Sequence, residues 1–332
     1  VGEPAAEAGG PVLVFGTGRS GTSWLGKLFD SHPDVFYSHE PDSIVKTDAF
    51  PLMPERASFD AHADAAADYL ERILRARGAK AVTQTPYFRK SFRSPAAAAV
   101  YGALVAGLRV VSKATGAQLG APDLADRARQ GAPRLVVKSV NAAGRAALYA
   151  RVRPDMRFVH ILRHPGGVAA SLKRGVEKGL MPRFIPLKML FEAEGVDAYG
   201  LTIDEMERRS FAEQAAFRWL VYNDGAASAF EGNPACARVA YEALNRDLAA
   251  ELRRLFDHVS LPWSEQTEDF LRVLAGLDGE AATSARYFSV MRPPGAGLDA
   301  WKSELGVEER AGVADLVSRA RTSAVRDMEA YG

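Results

Sequence analysis

A chain of 332 residues, 47% hydrophobic and 25% charged, carries enough apolar side chains to bury a sizeable core. Its formal net charge of +1 argues against bulk nucleic-acid binding, which needs a strongly basic face, but leaves room for a local basic pocket. The single cysteine, Cys236, rules out an intrachain disulfide and suits a reducing, cytoplasmic setting.

Residues 1–11 are small, polar and rich in Gly and Ala, and are expected to form a disordered arm rather than a signal peptide. No uninterrupted run of about 18 apolar residues follows, so no membrane span is expected. The first strand is 12–16 (VLVFG), and a helix opens over 23–32. A short strand, 35–37 (VFY), comes next. Residues 60–77 and 95–112 are Ala-rich and favour helix. Further apolar, β-rich runs lie at 134–138, 157–163 and 237–241, each followed by a segment that can be helical. Residues 178–202, with Pro182, Pro186, Gly195 and Gly200, are expected to be a mobile loop. A long helix is expected over 203–231 and a closing helix over 305–328. Apolar strands alternating with helices predict an α/β, doubly wound, three-layer domain with a central parallel sheet, spanning 12–332. Residues 42–130 and 176–230 exceed simple crossovers and are expected to be helical insertions that wall the acceptor site.

The stretch 16-GTGRSGTSW-24 follows the first strand and opens a helix. Glycines there let backbone N–H groups point inward, and with the helix N-terminus they make an anion site. Arg19 adds a forked cation. The spacing nearly matches the nucleotide-binding G-x-x-x-x-G-K-[ST], but the lysine position is Thr22. A second site is predicted where Arg163 ends a strand and Ser171 lies on the next helix, a pair able to pinch one phosphate. A phosphate-transferring kinase would offer a magnesium-binding acid at such a strand end, and Arg163 stands there instead, which favours metal-free chemistry. Lys138, at the end of 134–138, should face an anion, because buried lysines are unusual. Glu40, before Pro41, either faces the pocket or is an exposed loop carboxylate, and His39 is the rival base.

The loop, with 31-SHPDVFYSHEP-41 and the Arg163–Ser171 pair, resembles the sulfotransferases that use 3′-phosphoadenosine 5′-phosphosulfate (PAPS), with motifs similar to the carbohydrate-type and bacterial members. The resemblance covers 12–41, 134–175 and 237–305. It implies that Arg19, Ser20, Gly21, Thr22 and Ser23 hold the 5′-phosphosulfate, and that Arg163 and Ser171 hold the 3′-phosphate. It implies Glu40 as general base, with Arg19 and Lys138 stabilising the transferring group. Trp24 is placed to stack on adenine or to pack in the core. Arg292 is placed to meet the 3′-phosphate, and Trp301 and Lys302 either close over the nucleotide or form a core loop. The family's Lys-x-Pro-x-His reads Lys138-Ser139-Val140-Asn141 here, so its histidine is missing. The segment from 237 to 261, with its Tyr-Glu-x-Leu, reads as structural. The sequence leaves the acceptor open among carbohydrate, lipid and small-metabolite hydroxyls or an amine, and the product nucleotide is adenosine 3′,5′-bisphosphate (PAP). The competing readings are a kinase-like phosphotransferase and a non-catalytic module that binds an adenosine bisphosphate.

Overall fold

A computed structural model describes residues 9–116, 119–122, 124, 133–277 and 290–332. The near-continuous apolar runs of the sequence become strands because parallel strands are covered on both faces. They are β1 (Val12–Phe15), β2 (Val35–His39), β3 (Arg134–Ser139), β4 (Arg157–Leu162) and β5 (Cys236–Ala240). All pair in parallel, in the order β2-β3-β1-β4-β5. The helices used below are α1 (Thr22–Asp30), α2 (Phe59–Arg75), α3 (Ala79–Val82), α4 (Pro95–Thr115), α5 (Ala146–Val152), α6 (Pro165–Glu177), α7 (Phe211–Ala229), α8 (Tyr241–Arg246), α9 (Leu248–His258), α10 (Glu265–Ala275) and α11 (Val307–Ser318).

Alternating side chains divide the core between the two faces. Val12, Val14, Val159 and Ile161 pack with Leu25 of α1, Leu252 of α9 and Phe270 of α10. Leu13, Phe15, Val137 and Phe158 pack with Tyr69 and Leu70 of α2 and Leu148 of α5. A further cluster joins α6, α7 and α11. β1 lies between β3 and β4, so the strand order reverses there and opens a crevice at the C-terminal strand ends. The loop after β1, Glu40 after β2, Lys138 in β3 and Arg163 after β4 all fall at that crevice.

Several sequence expectations change. The helix expected over 203–231 is two, Ile203–Arg208 and α7, because Ser210 and Glu213 form a capping box that starts a new helix. Residues 178–202 are packed rather than open: they hold a short helix, Leu187–Phe191, and a 3-10 turn, Val196–Tyr199, with Leu190, Val196 and Tyr199 buried. The closing segment is α11 followed by Ser323–Arg326, divided where Thr322 bonds to the buried Asp224. Helix α2 covers the sheet through Tyr69, Leu70, Ile73 and Leu74, and its His62 and Tyr69 also line the cavity described below. Of the expected arm, residues 1–8 lie outside the described residues, and the Pro11 carbonyl accepts from the Arg157 amide at the edge of β4. By length and composition α4 is apolar enough to cross a bilayer, in contrast to the expectation drawn from uninterrupted runs.

Candidate anion-binding and transfer site

The loop after β1 is tight because two residues take left-handed backbone, Arg19 at φ 74° and Gly21 at φ 91°. Gly21 is required twice over. A Cβ there would also lie 2.4 Å from Tyr241 Cδ2. Gly18 faces open space on the loop's other side. Gly21 caps α1 without any side-chain bond to the helix, and the first turn carries no acid. The N-terminal amides and the positive end of the helix therefore face the crevice without a competing carboxylate. Ser20 is buried and shares a 2.8 Å hydrogen bond with Thr17. Thr22 is buried and Ser23 half-buried at the start of α1.

The two sequence motifs meet in space. Arg19 Nε donates to Ser171 Oγ at 3.0 Å, and Arg163 Nη1 donates to the Arg19 carbonyl at 3.1 Å. The Arg163 guanidinium lies over the Tyr241 ring, 4.6 Å from its centroid. Arg19, assigned from sequence to the transferring group, is thus turned toward Ser171.

Beside the loop, the ends of β2 and β3 carry an ion pair. Lys138 Nζ donates to Glu40 Oε1 at 2.5 Å, and the Glu40 amide donates to the Lys138 carbonyl at 2.7 Å. The Lys138 side chain is 2% exposed and that of Glu40 24%, so the carboxylate stands at the mouth and the ammonium beneath it. Glu40 has φ 46°, a conformation that costs a non-glycine residue about 1–3 kcal/mol and that clusters at functional sites. Burial pushes the Glu40 carboxyl up, but Lys138 outweighs it, and the net is a value below the ordinary range. Burial pushes the Lys138 ammonium down, and Glu40 opposes this. His39 is a strand residue, not a loop residue. It shares a 3.0 Å hydrogen bond with the Tyr37 hydroxyl through Nδ1. Burial and the neighbouring Lys138 lower its pKa to about 3, which makes it a poor proton acceptor.

The remaining expected residues divide. Trp24 is buried in the core, edge-on to Tyr241 at 5.7 Å, with its Nε1 unpartnered among the described residues. Trp301 stacks on His164 at 4.3 Å and lies where a Gly166 Cβ would be, so it packs against the start of α6. Lys302 pairs with Asp299 at 3.0 Å. Residues 286–289 of the late motif lie outside the described residues. Arg292 Nε is buried without a hydrogen-bond partner among the described residues. Its segment is tied to α8, where the Gly295 amide donates to Asn245 Oδ1 at 3.0 Å.

Sequence reasoning missed the part played by Tyr241 and Glu242. Tyr241 supports Arg163 and abuts Gly21, and Glu242 Oε1 accepts from the His164 amide at 2.9 Å. Their only sequence signal was the Tyr-Glu-x-Leu run, which reads as scaffold. A cavity of about 560 Å³ is lined by Asp42, Lys46, Phe50, His62, Asn141 and Arg145, with Asp42 and Asn141 close along the chain to Glu40 and Lys138.

The arrangement can hold an anion of two phosphate-like groups and take a proton beside it. Residues 11–265 match the family model described as "Sulfotransferase family". Human carbohydrate sulfotransferase 5 is 55% identical over 42 residues, 11% of this chain and 10% of that protein. Human carbohydrate sulfotransferase 2 is 26% identical over 90% of this chain and 61% of that protein, so the chain spans less than two thirds of these curated relatives. Among solved structures, the sulfotransferase domain of the Synechococcus PCC 7002 olefin synthase aligns at 17% identity over 98% of each chain, with a TM-score of 0.47. Mouse sulfotransferase SULT7A1 complexed with PAP aligns at 12% identity over 98% of this chain and 90% of that one, with a TM-score of 0.45. With the family model matched across most of its length, the chain belongs to the sulfotransferase family.

Proposed function

We propose that the chain transfers a sulfuryl group from PAPS to an acceptor hydroxyl, with PAP as the other product. The observation that carries this is the meeting of Arg19, Ser171 and Arg163 at the glycine loop, with the Lys138–Glu40 pair on the neighbouring strand ends. The residues fit the nucleotide: the start of α1 is uncapped by any side chain, and Arg292 Nε is an orphaned buried donor. The loop amides, Thr22 and Ser23 would hold the 5′-phosphosulfate, and Arg163, Ser171 and Arg292 the 3′-phosphate. Bound there, PAPS supplies an activated sulfuryl group and a phosphate leaving group.

The chain's own residues do the rest. Glu40 accepts the proton of the acceptor hydroxyl as that oxygen bonds to sulfur. Lys138 keeps Glu40 ionised and in place, and from beneath the pair its positive charge would offset the charge that gathers on the transferring oxygens. The positive end of α1 and Arg19 draw the developing charge on the departing phosphate. The acceptor is read as a carbohydrate, lipid or metabolite hydroxyl seated in the cavity beyond Asp42, whose mixed polar and aromatic lining suits a polyol. Thermal unfolding with PAP, ATP, or ATP with magnesium tests the reading, since a ligand raises the stability of the state it binds. PAP should stabilise most and without metal. Stabilisation by ATP only in the presence of magnesium would contradict it.

A further inference from the structure

Helix α4 is turned inside out for a soluble helix. Its 18-residue window Pro95–Ser112 has a mean hydropathy of 1.5, yet only 6% of it is buried. At 3.6 residues per turn, Val100, Leu104, Gly107 and Val111 form one stripe, opposite the buried Val105. Val100, Val110 and Val111 are 61%, 68% and 46% exposed. Soluble proteins rarely expose a contiguous apolar surface of this kind without a partner.

The charge around it is one-sided. Residues 72–122 contain nine Lys or Arg and no Asp or Glu, in a chain whose net charge is only +1. Some of these cations are taken: Arg75 pairs with Glu71, and Lys90 with the buried Asp30. Lys80 and Arg89 are exposed, whereas Arg109, also exposed, lies on the opposite side of α4 from Val100 and reaches back to the Thr83 carbonyl. An apolar stripe in a basic surround suits the headgroup and acyl boundary of an anionic bilayer. A second copy fits poorly, because a two-fold contact sets a patch against itself and would bring basic surface against basic surface.

We infer that α4 lies in the surface of an anionic membrane and docks the chain there, with the stripe Val100–Leu104–Val111 inserted and the flanking cations on the headgroups. The helix lies flat rather than spanning, since Val105 is buried against the protein and Arg109 interrupts the apolar run. α4 packs on α3, and α3 on β2, so docking brings the strand end that carries Glu40 within one helix of the lipid. The inference does not depend on the assignment of the reaction.

The test is co-sedimentation of the full chain with vesicles of phosphatidylcholine, with and without phosphatidylglycerol. Binding should require phosphatidylglycerol and weaken with salt. Val100→Asp/Leu104→Asp/Val111→Asp should lower it at least about tenfold, given the apolar area withdrawn from the acyl boundary. Arg89→Glu, which leaves the stripe intact, should lower it several-fold. Circular dichroism and cooperative thermal unfolding of each variant check that the chain is still folded. The inference is overturned if wild type ignores phosphatidylglycerol vesicles, or if the triple-aspartate variant, folded by that check, binds them equally. It is also overturned if light scattering shows a wild-type dimer that the triple variant dissolves while vesicles go unbound.

Discussion

Glu40→Gln separates the chemistry of the ion pair from its part in stability. Removing one partner of a fully buried pair costs about 3–5 kcal/mol, because the other charge is left buried alone. Here the loss should be smaller. Glu40 is 24% exposed, the glutamine carbonyl can still accept from Lys138, and the charge of Asp42 favours the ammonium. Roughly 1–3 kcal/mol of stability should go at neutral pH. Turnover should fall about 10²–10⁴-fold, the usual contribution of a general base. The loss should appear in kcat with little change in KM, as for an interaction made mainly in the transition state. Steady-state PAP release and urea unfolding measure the two effects. Adding Lys138→Met to Glu40→Gln removes the orphaned charge, so stability should recover while turnover stays low. If Glu40→Gln keeps more than about a third of wild-type kcat, Glu40 is not the base. If the double variant loses the sum of the two single losses, the residues are not coupled.

Arg163→Ala should weaken PAP binding, measured by isothermal titration, by the roughly 1.5–3 kcal/mol of a charge-assisted bond, and Arg163→Lys should rescue it only in part for want of the fork; equal affinity would reject the assignment. Gly21→Ala should weaken PAP binding and lower the unfolding temperature, since it adds a left-handed backbone penalty of about 1–2 kcal/mol to a contact with Tyr241; an unchanged titration would show that the loop is not the anion site. Stability should fall on acidification from about pH 6.5 toward pH 4, because burial lowers the pKa of His160 and His164 to about 4 and that of His39 to about 3. These rings are neutral when folded and gain protons when unfolded, so their contribution is whole above pH 6.5 and is lost as pH falls toward the folded values; a urea midpoint flat across that range would refute it.

The fold was legible where burial writes itself into the sequence. The run 12–16 is apolar throughout, and 157–163 is apolar at most inner positions, because helices cover both faces of the sheet. The loop glycines and Arg163 were legible because tight turns and phosphate recognition need those residue types. Orientation was not. Nothing local says that Arg19 turns to Ser171, or that Trp301 stacks on His164. Tyr241 looked like scaffold because its role arises from Gly21 and Arg163, far away in the chain. The break at Ser210 was hidden in a continuous helical pattern, although Ser210 and Glu213 have capping-box spacing. Helix α4 misled in the opposite sense, since apolar periodicity shows that a face exists but not what covers it.

The most direct test of the account is PAP formation from PAPS by the wild-type chain, followed across a panel of carbohydrate, lipid and small-metabolite hydroxyls in the presence of EDTA. The account predicts PAP release matched by an acceptor heavier by one sulfuryl group, unaffected by the chelator and all but lost in Glu40→Gln. Tight PAP binding with no acceptor sulfated, or turnover that stops in EDTA and returns with magnesium, would contradict it.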